Sequence, residues 1–201
     1  MLKKISSLLS GIFGCKPKNG KSDINREVED SLTAFKNRRI YKKLTKEIID
    51  SVSDDDLVQV VFDNICTCMK PDYSNDYDVV IKLSAGQQSI YSTWCVEAEV
   101  NNGGFNQFYF NSSERFADMA VNGFLLIGAE QHYKLMKEAN KVYSENKEKL
   151  GSYNDGTLQS FSESYKDNPL KELDKIFYEL EEDLNELRVK YIRVHYQEFI
   201  Q

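Results

Sequence analysis

Two glutamates beside a turn-forming sequence are the residues of this 201-residue chain whose types and spacing best suit chemistry. Glu97 and Glu99 directly precede a polar corner, where carboxylates can serve acid–base catalysis or bind a metal ion. Side chains two positions apart on a helix do not face one target, which argues against a shared site. In the structural alternative, the Glu97 carboxylate accepts hydrogen bonds from backbone N–H groups of the corner.

The other residue types that commonly do chemistry form no recognisable set. Neither His132 nor His195 lies in a zinc-binding or nucleophile motif, and both are expected at the surface or at an edge. The acidic pair also lacks the base, nucleophile or metal-ligand set that would complete an active site. The sequence therefore predicts a protein that is not an enzyme and that uses no cofactor and no metal ion.

The cysteines are irregularly spaced and do not predict a disulfide framework. Cys66 and Cys68 are expected on one helix, where their side chains diverge, so we expect free thiols rather than a shared metal site. The sequence before Cys15, Ile-Phe-Gly, resembles a lipoprotein cleavage box, and a lipid anchor at Cys15 is one hypothesis. The apolar stretch before it is short and interrupted by serines, which favours a cytoplasmic protein. No run of about 18 apolar residues predicts a membrane span.

Helices must position these residues, because apolar residues recur at helical spacing and alternating strand-like runs are nearly absent. Ser84 and Gln87 match a capping box, which predicts the start of the helix that carries Glu97. Asn-Asn-Gly-Gly at residues 101–104 is strong turn chemistry, because asparagine and glycine tolerate positive φ. We therefore expect an all-α fold in which this helix turns sharply and continues as a short aromatic helix. If φ at Gly103 is positive, a side chain there would strain the backbone.

The last helix has the clearest pattern in the sequence. Its apolar residues alternate four and three positions apart and predict one long continuous C-terminal helix: Leu173, Phe177, Leu180, Leu184, Leu187, Tyr191 and Val194. Four acidic residues are predicted to share another face of this helix: Glu179, Glu182, Asp183 and Glu186. The apolar seam would pack against the body of the protein or against a partner chain, as in a homodimer. The acidic face would meet solvent or a basic partner.

Charge is distributed unevenly along the chain. Residues 1–50 contain twelve Lys or Arg against six Asp or Glu, whereas residues 51–201 contain fourteen against twenty-six. The net charges of +6 and −12 together give the formal −6 of the whole chain. An acidic region disfavours nucleic acid as a direct ligand and favours a basic partner surface, although carboxylates also simply keep a surface soluble.

Three parts of the sequence together resemble one bacterial family. Residues 99–113, Glu-Val-Asn-Asn-Gly-Gly-Phe-Asn-Gln-Phe-Tyr-Phe-Asn-Ser-Ser, are similar to the signature of the DNA-mimic-protein-like family, named after DNA mimic protein 19. Ile-Gly-Ala at 127–129 and a series of Leu-Asp, Phe-Tyr, Glu-Asp-Leu and Tyr-Ile from 173 to 192 follow in the family's order. The resemblance covers about residues 83–201. It implies structural or binding roles for seven residues: Glu97, Asn102, Gly103, Gly104, Phe105, Gln107 and Asn111.

The resemblance and the charge pattern lead to three hypotheses of function. In the first, a non-enzymatic acidic protein imitates the charge of DNA and occupies a DNA-binding protein such as a transcription factor. In the second, an immunity-type or adaptor protein neutralises a basic toxin or enzyme, so in both cases the partner is a basic protein rather than nucleic acid. The third is an enzyme or metal-binding protein built on the corner. We expect a basic leader and linker at 1–22, a helical N-terminal part at 23–82 and the family-like domain at 83–201.

Overall fold

A computed structural model describes residues 21–155 and 157–200. The internal contacts divide the chain into two compact units, Met1–Tyr41 and Lys42–Gln201. In the first unit, the described residues form one helix, α1 (Lys21–Lys36). The domain boundaries that the sequence predicts, after residues 22 and 82, stay predictions.

The second unit is all-helical in the part that the structure describes, as the sequence predicts. Its described residues form ten α-helices: α2 (Lys46–Ser51), α3 (Asp54–Cys66), α4 (Asp76–Val80), α5 (Ala85–Phe110), α6 (Ala117–Leu126), α7 (Glu130–Glu145), α8 (Lys147–Gly151), α9 (Leu158–Ser164), α10 (Lys171–Glu179) and α11 (Leu184–Val194). The same described part of the chain also contains two 3-10 helices, Ser112–Phe116 and Tyr196–Glu198.

Helix α5 is the central element of the second unit, and its first turn confirms the predicted capping box. Ser84 Oγ accepts a hydrogen bond from the Gln87 backbone N–H at 3.1 Å. In return, the Gln87 side-chain oxygen accepts from the Ser84 backbone N–H at 3.2 Å. This reciprocal pair satisfies two N–H groups that have no partner inside the helix. From this start, α5 packs against α3, α6, α10 and the first 3-10 helix.

Aromatic contacts anchor α5 on its neighbours. The Phe62 ring of α3 lies 3.9 Å from the Trp94 ring centroid and stacks on Tyr91 at 5.2 Å. Tyr91 in turn meets Phe116 edge-on at 5.1 Å, which brings in the 3-10 helix after α5. Such ring pairs add to the stability that burial itself provides. The helix that carries Glu97 is therefore held rigidly at its centre.

The C-terminal region corrects the sequence analysis. The predicted single long helix is two helices, because α10 ends at Glu179 and α11 begins at Leu184. Asp183 is the N-cap of α11, and its carboxylate accepts hydrogen bonds from the backbone N–H groups of Asn185 at 3.0 Å and Glu186 at 3.2 Å. A capping carboxylate stabilises a helix start in the middle of an apolar pattern that continues across the break. The prediction of one continuous long helix was wrong, whereas the prediction of an all-α fold is confirmed.

Candidate functional site at the glycine corner

The predicted sharp corner lies inside α5, where two adjacent glycines leave helical geometry. Gly103 has φ −159° and ψ 24°, and Gly104 has φ 74° and ψ −179°. The turn at Asn-Asn-Gly-Gly is thus confirmed, but the residue with positive φ is Gly104 rather than Gly103. A positive φ combined with ψ near 180° is essentially restricted to glycine. The corner redirects the chain from residues 85–102 into the short aromatic segment 105–110.

A carboxylate from a distant helix holds the corner. Asp174 Oδ1 on α10 accepts a hydrogen bond from the Phe105 backbone N–H at 2.7 Å. Its Oδ2 lies so near Gly104 that an added Cβ would be 2.5 Å away. Burial raises the pKa of the Asp174 carboxyl group, and the Phe105 hydrogen bond opposes that shift. The sequence analysis offered Glu97 as the acceptor of hydrogen bonds from backbone N–H groups of the corner. In the structure Asp174 has that role, so the expectation was wrong for Glu97.

Glu99 ties the two arms of α5 together. Its Oε2 accepts hydrogen bonds from Gln107 Nε2 at 2.6 Å and from Asn111 Nδ2 at 2.9 Å. Its Oε1 accepts from Ser113 Oγ at 3.0 Å. Two of the signature amides, Gln107 and Asn111, thus donate to one carboxylate across the corner. Three donors satisfy Glu99, which is the arrangement of a structural clamp.

Glu97 is the partner of a buried arginine. Arg188 on α11 is 2% exposed. Its Nη1 donates to Glu97 Oε2 at 2.5 Å, and its Nε donates to Thr93 Oγ1 at 3.0 Å. Its Nη2 is buried and has no hydrogen-bond acceptor within the described residues. Glu97 and Glu99 therefore face different partners, and the pair does not form one acid–base or metal site.

An open groove lies beside the corner. Its volume is about 660 Å³, and its lining combines signature residues with residues from α9, α10 and the connection between them: Asn102, Gly103, Gly104, Gln107, Phe161, Tyr165, Asn168, Lys171, Asp174 and Tyr178. The Tyr165 hydroxyl donates to the Gly103 carbonyl oxygen at 2.8 Å, and the Tyr178 hydroxyl donates to the Val100 carbonyl oxygen at 2.6 Å. The concave surface beside the signature thus contains Asn102 and Gln107 rather than Glu97.

A family model described as DMP19-like protein matches residues 81–195, more than half of the chain. The chain belongs to the DMP19-like protein family. This match confirms the resemblance that the sequence shows over about residues 83–201. A search of curated proteins found no match to the chain.

In this DMP19-like chain, the four acidic residues predicted to share one helix face do not do so. Glu179 is exposed at the end of α10, and Glu186 is exposed in the first turn of α11. Glu182 and Asp183 lie in the connection between these helices and are only partly exposed. Asp183 is occupied by capping α11. The prediction of a common acidic face was wrong, because the chain is not helical between Glu179 and Leu184.

Glu182 instead holds the start of α7. Its carboxylate accepts hydrogen bonds from the backbone N–H groups of Gln131 at 2.8 Å and His132 at 3.1 Å, and lies 2.8 Å from His132 Nδ1. His132 is 4% exposed, so its predicted surface position was wrong. Burial lowers the pKa of His132, and the hydrogen bond with Glu182 opposes that shift. Partial burial opposes ionisation of Glu182, but its hydrogen bonds with Gln131 and His132 outweigh that effect and lower its pKa.

The described residues of this family member contain no group of three or more His, Cys, Asp or Glu side chains that could hold a metal ion. Cys66 ends α3 and Cys68 lies exposed in the following turn, while burial raises the pKa of Cys95. The hypothesis of a lipid anchor concerns Cys15, which lies outside the described residues. No helix in the described ranges is long and apolar enough to cross a membrane.

Sequence reasoning missed the residues that meet the signature from elsewhere in the chain, and two of them left a signal. Asp174 is the acidic residue of the Leu-Asp pair in the family-like series. Arg188 is four residues after Leu184 and three before Tyr191 in the apolar seam, so helical spacing places its charge on the buried side. Nothing local in the sequence marks Tyr165 as a residue of the groove.

Proposed function

We propose that this DMP19-like chain is a non-enzymatic binding protein that presents exposed carboxylates to a basic protein, imitating the charge of DNA. The family match supports this role through the family's name, and the net charge of −12 over residues 51–201 supports a basic partner. The chemistry around the signature supports it as well. Glu97 and Glu99 are engaged by Arg188 and by side-chain donors, which leaves neither as a free acid–base group.

The observation that carries the proposal is that the first turns of α3 and α11 lie side by side. Asn185 Nδ2 donates to the Asp54 carbonyl oxygen at 3.3 Å, which joins the two helix starts. Four exposed carboxylates occupy these two turns, and we name them the acidic cluster: Asp54, Asp55, Asp56 and Glu186. The Arg193 guanidinium pairs with Asp54 and offsets part of this charge. The carboxylates of Asp55, Asp56 and Glu186 remain exposed at these two adjoining helix starts.

First-turn carboxylates also stabilise a helix by interacting with its dipole. This local effect needs no partner, and each helix would have it alone. Two neighbouring starts place carboxylates of separate helices on one surface, and such an arrangement attracts a basic patch more strongly than either helix does. The proposal therefore predicts that the charge of the cluster matters for binding beyond its effect on folding.

Charge reversal tests the proposal. The partner is first identified by co-purification with the wild-type chain from native cells, and its affinity is then measured with purified proteins. Asp55→Lys combined with Glu186→Lys should weaken binding at least about tenfold, because two attractive contacts become repulsive. The matched control is Glu145→Lys combined with Glu148→Lys, which makes the same change of charge at exposed positions of α7 and α8. Melting temperatures of both variants verify that they fold.

The salt dependence of binding tests whether charge drives it, and competition with DNA distinguishes a DNA-binding partner from a basic toxin or enzyme. Wild-type affinity should fall steeply between about 50 and 200 mM salt, because exposed charges are screened. Duplex DNA should compete if the partner is a DNA-binding protein, whereas a basic toxin or enzyme without DNA affinity indicates the immunity-type alternative. Equal affinity of the reversed variant and its control would refute a role for the acidic cluster.

A further inference from the structure

The groove beside the glycine corner contains hydrogen-bond acceptors that no described residue fills. Asp174 Oδ1 accepts from the Phe105 N–H, but Oδ2 receives no hydrogen bond from the described residues. The side-chain amide of Gln107 also has an unfilled acceptor. Its Nε2 donates to Glu99, whereas its Oε1 lies beside Gly103 and accepts no hydrogen bond from the described residues. A ligand that satisfies both atoms must therefore donate hydrogen bonds.

The charged residues of the groove, Lys171 and Asp174, form no ion pair with each other. Lys171 lies one turn before Asp174 on α10 and lines the same groove, yet no described cation forms an ion pair with Asp174. An unpaired carboxylate is destabilised by partial burial, since burial disfavours the charged form. A cation bound next to Asp174 Oδ2 would offset that cost. Asp174 Oδ2 thus favours a ligand group that is both a donor and a cation.

Aromatic rings complete the lining. The hydroxyl groups of Tyr165 and Tyr178 are held against the corner backbone, whereas the two residues remain 37% and 58% exposed. A ring face attracts a cation, and a planar guanidinium stacks on it while its N–H groups remain free to donate. An ammonium group lacks that planar shape. The combination of rings, carboxylate and amide oxygen is therefore better suited to arginine than to lysine.

We propose that this groove binds an arginine side chain, whose guanidinium donates to Asp174 Oδ2 and Gln107 Oε1 and lies against the rings of Tyr165 and Tyr178. The inference rests on the proposed function in one respect, namely that the basic partner supplies the arginine. The acidic cluster then attracts the partner over a distance, and the groove recognises one of its side chains.

A blocked amino acid is a suitable probe. N-acetyl-arginine methylamide is titrated into the full chain, and the amide resonances of Gly103 and Gly104 are followed by NMR. The neutral probe N-acetyl-norleucine methylamide controls for non-specific contact, and the corresponding lysine derivative tests the preference for a guanidinium. Saturable shifts are expected with the arginine probe, weaker binding with the lysine probe and none with the neutral one.

Two variants with matched controls locate the binding. Asp174→Asn keeps an oxygen that can accept from Phe105 and should reduce affinity about tenfold, which corresponds to about 1.4 kcal/mol. Its control, Glu172→Gln, removes a carboxylate from the same helix where it is exposed, and should bind as the wild type does. Tyr178→Leu should also weaken binding, whereas Tyr178→Phe keeps the ring and should retain it. The tyrosine pair keeps the test decisive if Asp174→Asn does not fold.

Absence of saturable shifts, equal affinity for the arginine and lysine probes, or undiminished binding by both Asp174→Asn and Tyr178→Leu would overturn the inference. The probe does not require the natural partner. A chain that binds the probe but captures no basic protein would refute the proposed function alone. A chain that captures its partner but ignores the probe would refute the arginine site alone.

Discussion

Gly104 differs from the other described glycine with positive φ in what surrounds it. Its φ is +74°, and a Cβ at this position would collide with the Asp174 carboxylate at 2.5 to 2.7 Å. Gly128, two residues after the end of α6, has φ +80° but no atom within 4 Å of a Cβ built there. The two residues share a positive φ and differ in the space around them, so Gly128 is a useful comparison for Gly104.

We expect Gly104→Ala to lower the free energy of unfolding by about 3 kcal/mol and Gly128→Ala by about 1 kcal/mol. Backbone strain acts in both variants, but the first also displaces Asp174 from the Phe105 N–H. Denaturant unfolding of the two variants measures both values. Equal losses would show that the contact between Gly104 and Asp174 contributes nothing to stability.

The sequence predicted those features of the corner that depend only on neighbouring residues. Asn-Asn-Gly-Gly marks a turn through its own backbone preferences, so the corner itself was predictable. Which glycine takes the positive φ depends on how residues 105–110 dock, and that docking uses Asp174, nearly seventy positions away in the chain. A pairing at that distance leaves no periodic pattern, so only the family resemblance indicated that both segments belong together.

At the scale of helices, local signals succeeded at one helix start and failed at another. Ser84 and Gln87 are three residues apart and complete a motif by themselves, so the start of α5 was predictable. The break before α11 was missed because the apolar seam continues in register from α10 into α11. Asp183 interrupts the helix rather than the apolar pattern, because its carboxylate caps the start of α11. Its acidic neighbours made it appear to be part of a solvated face. Period alone therefore identified the buried Phe177, Leu184 and Tyr191 without locating the gap, and its placement of Val194 in the seam was wrong, because that side chain is 63% exposed.

The start of α7 gives a pH prediction at the same scale. Burial lowers the pKa of His132 from its ordinary value of 6.5, so the folded state favours the neutral ring. The associated stability is complete above pH 6.5, the value in the unfolded chain, and is lost as pH falls toward the lower folded value. Glu182, whose pKa is lowered from 4.5, adds a further loss as pH falls below that value.

Substituting the histidine isolates this effect. In His132→Gln, the free energy of unfolding should depend less on pH between about 7.5 and 5 than in the wild type, because one titrating group is absent from both states. His195→Gln removes an exposed histidine and is the control. Urea unfolding at several pH values provides the comparison. An unchanged slope in His132→Gln would contradict the assigned direction of the pKa shift.

Across the whole molecule, the buried pair of Glu97 and Arg188 connects the middle of the chain to its last α-helix. The two partners are buried unequally, since the side chains are 33% and 2% exposed, respectively. Glu97 can therefore be solvated in part without its partner, whereas Arg188 cannot. Removing one member of a buried pair costs far more than removing both, because the remaining charge has no compensation.

The three possible substitutions should therefore differ in a defined order. Glu97→Leu leaves Arg188 charged and buried, and should lower the free energy of unfolding by about 3 to 5 kcal/mol. Arg188→Met leaves a carboxylate that water can reach, so its loss should be smaller. The double variant should be more stable than Glu97→Leu alone, because no buried charge remains. Denaturant unfolding of the three variants completes a double-mutant cycle. If the two single losses simply add, the ion pair does not couple α5 to α11.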